Sequence, residues 1–95
     1  MGRVSKETGV VAVLVRRMVE QRLPRALALK ERVGRGELLN DLDLLFLEEV
    51  MRDAASVGPI AGQDQRLVEL ARTMAQLYSE ITSKALENEK KKADS

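Results

Sequence analysis

From Leu67 to Ala85, apolar residues return at alternating three- and four-residue steps: Leu67, Leu70, Ala71, Met74, Leu77, Tyr78, Ile81 and Ala85. A strand places every second residue on one face, whereas a helix places every third or fourth there, so this stripe predicts a long amphipathic helix. Glu69, Arg72, Gln76, Glu80 and Lys84 occupy the other side, and Glu80–Lys84 and Glu87–Lys91 have the supportive acid-before-base spacing. Beyond Leu86 the apolar period stops and the sequence turns polar, with Lys90, Lys91 and Lys92 near its end.

The remainder of the 95-residue chain must supply cover for that stripe. Phe46 and Tyr78 are the only aromatic residues, so the core is built from Leu, Val, Ile, Met and Ala. Aliphatic cores suit helix-on-helix packing better than a β-sandwich, whose strands favour aromatic and β-branched side chains. With 44% hydrophobic and 33% charged residues, the chain is too apolar for intrinsic disorder. The length allows one domain.

Three other segments show helical patterning or its punctuation. Val11, Leu14, Val15 and Met18 follow i, i+3, i+4, i+7 spacing, and Leu23, Ala26, Leu27, Lys30 and Val33 carry a face onward to Gly34-Arg35-Gly36. Pro24 interrupts this region because it lacks an N–H and crowds the preceding turn. Residues 10–34 therefore form one kinked helix or two helices with a tight corner. A central helix follows at 41–57, with Asn40 as its cap, Asp41 and Asp43 in its first turn, and Leu39 and Leu44 clamping its entry. Gly58-Pro59 is the expected stop. Leu42, Leu45, Phe46 and Val50 make one apolar face of this helix and Leu44, Leu47, Met51 and Ala55 another, which suggests neighbours on two sides. The expectation is an all-α, small up-and-down bundle of three long helices, the first kinked or split at Pro24. Residues 1–9 are expected to be a flexible arm, 10–89 the bundle, and 90–95 a disordered Lys-rich tail.

Charge is segregated along the chain. Residues 1–35 carry +6, residues 36–65 carry −6 and residues 66–95 carry +1. One reading sets the acidic central helix against the basic first segment; the other turns a charged surface toward a partner. The basic patch Arg16, Arg17, Arg22, Arg25, Arg32 and Arg35 supports an alternative function as a nucleic-acid-associated protein. Net charge near zero, the shortage of stacking aromatics and an aspartate-led central helix all argue against that alternative.

Chemistry is narrowed by the residues the sequence lacks. Without Cys or His there is no disulfide, no Cys–His zinc site, no thiol nucleophile and no His-based triad. The carboxylates Glu48, Glu49 and Asp53 read as a solvated stripe, not a metal site, and Gly34-Arg35-Gly36 lacks the spacing of a phosphate loop. No cofactor, metal or catalytic residue is expected. The longest apolar run, Val10–Val15, is far below the ~20 residues of a membrane span. A non-catalytic, soluble, cytoplasmic interaction module follows, acting on a protein partner or as a homodimer. Its expected surface is Val11, Leu14, Val15, Met18, Leu44, Leu47 and Met51, since three helices leave residues 10–20 and 42–51 short of cover.

Overall fold

A computed structural model describes residues 6–61 and 65–94, and every regular element in them is helical. α1 spans Lys6–Arg17, a π-helical turn spans Met18–Arg22, α2 spans Leu23–Gly34, α3 spans Asp41–Ala61 and α4 spans Gln65–Asp94. α1, the wide turn and α2 form one continuous rod, so the molecule is a three-helix bundle. It measures 64 × 19 × 17 Å, about two helix diameters across. Its radius of gyration of 15.8 Å exceeds the roughly 12 Å of a compact domain this long, as side-by-side helices require.

Side-chain partners give the directions. Arg32 meets Asp43, Arg25 meets Phe46, Arg22 meets Glu49 and Asp53, and Arg17 meets Asp53, so α3 runs antiparallel to the first rod. Lys30 meets Glu80 and the Val33 carbonyl meets Asn88, so α4 runs parallel to α2. The topology is up, down, up, as the short connections imply.

The wide turn explains how a helix containing Pro24 keeps one apolar face. Leu14 and Met18 are buried in α1 and the turn, and Ala26, Leu29 and Val33 are buried in α2. Met18 and Ala26 are eight residues apart, one more than two α-helical turns. A π turn bonds i to i+5 and so absorbs one extra residue without rotating the face away from the core. The Leu23 N–H donates to the Met18 carbonyl, the bond of such a turn. Pro24, which has no N–H and would crowd the Glu20 carbonyl in a regular turn, sits immediately beyond it. Of the two arrangements open to residues 10–34, the structure has the continuous helix.

The end of α2 is a glycine-dependent stop. Gly36 has φ +92°, its N–H donates to the Val33 carbonyl at 3.0 Å, and the Glu37 N–H donates to the Arg32 carbonyl at 3.2 Å. This is the Schellman arrangement, which satisfies the last carbonyls of the helix. α3 then begins with reciprocal capping: the Asp43 N–H donates to Asn40 Oδ1 at 2.8 Å, and the Asn40 N–H donates to Asp43 Oδ2 at 3.0 Å.

Three expected boundaries move. The first helix starts at Lys6, so the arm expected at 1–9 is helical from there, while residues 1–5 lie outside the described residues. α3 continues through Gly58-Pro59 to Ala61, because a proline so close to a helix end removes only one N–H from its last turn. α4 continues through the lysines to Asp94, with Lys91 and Lys92 in the turn where positive charge complements the dipole.

Opposite outcomes are expected for the two glycines of the α2 stop. Gly34 is helical with open space around it, so Gly34→Ala should stabilise by about 0.5–1 kcal/mol. Gly36→Ala should destabilise by about 1 kcal/mol, because its φ disfavours a side chain. Urea midpoints measure both. Deleting the exposed Val19 should convert the wide turn to α-helix and retain the fold, whereas deleting Gln76 should rotate half of the α4 stripe off the core and unfold the protein. Circular dichroism melts distinguish the two deletions.

Candidate functional site

A charged seam joins the basic first rod to the acidic α3. Arg22 is largely enclosed and bridges two carboxylates, with Nη1 3.1 Å from Glu49 Oε2 and Nε donating to Asp53 Oδ2 at 3.1 Å. Arg17 reaches the same Asp53 at 3.7 Å. The Arg25 guanidinium lies 4.4 Å from the centroid of the Phe46 ring, a cation–π contact that covers one of the two aromatics. Arg35 pairs with Glu37 at 3.0 Å. Of the six residues of the expected basic patch, Arg16 alone among the described residues is exposed with neither an ion pair nor a ring contact. The segregated charges thus largely pair with one another within the chain.

The seam ends in a polar hub where α2, α3 and α4 converge. Arg32 donates from Nη1 and Nη2 to the two carboxylate oxygens of Asp43, both at 3.2 Å, a fork that fixes orientation as well as distance. Glu37 lies 3.5 Å from the Nε of the same arginine. Asn88 is buried and its amide donates to the Val33 carbonyl at 2.8 Å and the Glu37 carbonyl at 3.0 Å. Burial alone pushes the Asp43 carboxyl up. The Asn40 N–H, the hydrogen bonds and charge of Arg32 and the charge of Arg25 outweigh it, so the carboxyl titrates below its ordinary value. On the outer face of α4, Lys84 and then Lys91 hold Glu87 below the usual carboxylate range.

Neither Asp43 nor Asn88 is singled out by sequence reading as interior. The buried stripe of α3 is Asp43, Phe46, Leu47 and Val50, at i, i+3, i+4 and i+7. Counting Asp43 as polar hides the first member of that stripe and makes the helix read as apolar on two sides. Asn88 likewise extends the α4 stripe in register, one heptad after Ile81.

The expected interaction surface divides. Leu14, Met18 and Leu47 are core residues and present no surface: Leu14 and Met18 lie on the face the first rod buries, and Leu47 belongs to the stripe that begins at Asp43. Val15 and Met51 are half-buried, Leu44 is exposed, and the Val11 side chain lies outside the described residues. The more prominent apolar exposure is Leu42 and Leu45, at 69% and 54%, on the outer side of α3. Leu44 and Leu86, also exposed, flank a shallow groove of about 220 Å³ completed by Leu39, Thr82, Ala85 and Glu89. Among the described residues no three acidic side chains are placed to hold a metal ion, and Glu49 and Asp53 are instead engaged by Arg22. No described helix is long and apolar enough to cross a membrane. Compared with protein-family models, curated proteins and solved structures, the chain matches none.

The hub makes stability depend on acid. Asp43 has a depressed carboxyl in the folded state, so its contribution is complete above the unfolded carboxylate value of about 3.9 and is lost as pH falls through the lower folded value. Asp43→Asn should therefore cost about 1–2 kcal/mol at pH 7. The difference from the parent should shrink below about pH 4. Urea titrations across that window give the curve.

Proposed function

We propose that this chain is a non-catalytic helical interaction module, an accessory or regulatory protein of the cytoplasm that works through helix–helix contacts. The reading rests on α3. Three leucines within four positions, Leu42, Leu44 and Leu45, are all about half exposed or more, and Leu86 adds a fourth beside Leu44. Leu42 and Leu45 adjoin on the outer side of α3, while Leu44 and Leu86 flank the groove on another side, so α3 borders two apolar patches that gain by being covered.

Electrostatics support the same conclusion. Arg17, Arg22, Arg32 and Arg35 are engaged by Asp53, Glu49, Asp43 and Glu37. A polyanion would have to break those pairs to use the same arginines, whereas a partner helix covering the leucines disturbs none of them. Leu39, Leu44, Ala85 and Leu86 line an apolar depression into which a partner side chain can insert, the usual geometry of an anchor in a helix–helix interface.

A photoreactive side chain replacing Leu45 should form one or a few discrete covalent adducts when the chain is irradiated in an extract of its source cells. The same group replacing the exposed Arg72, on α4, should form none. Denaturing gels and mass spectrometry read the result. No adduct from position 45, or an equal smear from both positions, would refute the interaction-module reading.

A further inference from the structure

The outer side of α3 carries a pattern that matches itself when reversed. Asp41, Leu45, Glu48 and Arg52 stand at i, i+4, i+7 and i+11, so they form one stripe, and all four are exposed. It lies away from the buried stripe of Asp43, Phe46, Leu47 and Val50, and Leu42 borders it with 69% exposure. Acid stands at one end of the stripe and base at the other. Among the described residues, Asp41, Glu48 and Arg52 make no ion pair within the chain, although most of the arginines on the first rod do.

We infer that a second copy of this chain docks on the outer side of α3, with the two α3 helices antiparallel about a two-fold axis passing between Leu45 and Glu48. In that register Asp41 lies opposite Arg52 of the second copy, and Arg52 opposite its Asp41, so one interaction is made twice. Leu45 packs against the aliphatic stem of Glu48 from the second copy, with Leu42 at the flank. Across the axis the two Leu45 side chains are neighbours, and so are the two Glu48 side chains, whose carboxylates must turn to water at the edge of the contact. A parallel arrangement would set Asp41 against Asp41, Glu48 against Glu48 and Arg52 against Arg52, and like charges opposed at an interface suppress it. An isologous contact needs a surface complementary to itself, and this stripe meets that condition through the opposite charges at its two ends, Asp41 and Arg52. At about 32 Å, α3 is long enough to present the whole pattern along one line of contact. The inference rests on the interaction-module reading and specifies its partner.

Sedimentation equilibrium of the full chain at low salt, from low to high micromolar concentration, tests it. The parent chain should be a dimer, and Leu45→Lys should leave a monomer with an unchanged circular dichroism spectrum. Asp41→Arg and Arg52→Asp should each weaken dimerisation about tenfold or more, and the double variant, which restores opposite charges across the axis, should recover to within about threefold of the parent. A structural effect of either substitution would accumulate in the double variant, so recovery separates pairing from folding. A parent chain that is monomeric at high micromolar concentration overturns the inference. So does a dimer indifferent to Leu45→Lys, or a double variant no better than the singles. Discrete photoadducts from position 45 to a different protein, together with a monomeric parent chain, would retain the module reading and discard the second copy.

Discussion

The register of this bundle depends on two buried polar side chains, Asp43 and Asn88. A core of Leu, Val, Met, Ile and Ala packs almost as well after a helix slides by one turn, because apolar contact is not directional. Sliding α4 would carry the Asn88 amide away from the Val33 and Glu37 carbonyls and leave it buried and unpaired, a cost of about 1–3 kcal/mol. Sliding α3 would separate the Arg32 fork from Asp43 while burying its carboxylate. Both residues act on the α2–α3 junction, so the closed end of the bundle sets the alignment that the aliphatic remainder follows. In a coiled coil a single core asparagine selects register in the same way.

Charge segregation along the chain matches the apposition of the first rod and α3. The first rod is basic and α3 acidic, and their antiparallel apposition places Arg17, Arg22 and Arg32 beside Asp53, Glu49 and Asp43 in order. Half-exposed pairs such as Lys30–Glu80 add little individually. Arg22 and Arg32 differ, because each is held by two carboxylates and partly withdrawn from water. Together they supply directional contacts between rods that have few aromatic side chains to supply them.

Features governed by local rules were legible in the sequence. The α4 stripe, the Asn40 cap and the Gly34–Gly36 turn all follow from spacing or residue type, whereas compensation of charge between two segments was one of two readings the sequence left open. Features in which tertiary context overrides a local rule were not. Asp43 and Asn88 stand in apolar registers, so a reading by hydrophobicity drops them and misplaces the buried face of α3 by part of a turn. That error moved Leu47 to the surface and gave Leu42 and Leu45 to a buried face. Pro24 signals an interruption but not its form, since whether it breaks, kinks or widens a helix depends on the eight-residue interval between Met18 and Ala26 that must remain on one side.

The same shift of face accounts for the surface left over. Once Asp43, Phe46, Leu47 and Val50 point inward, helical geometry forces Leu42 and Leu45 outward, however apolar they are. Turning α3 to hide them would withdraw Phe46 and Val50 and pull Asp43 from Arg32, which loses more than two half-exposed leucines can return. The exposed leucines are therefore fixed by the hub, not by weak packing. A surface held rigidly by the core is already organised before any partner arrives, so little ordering of α3 opposes its being covered. The polar residues that align the bundle and the apolar residues it displays are thus two consequences of one rotation of one helix.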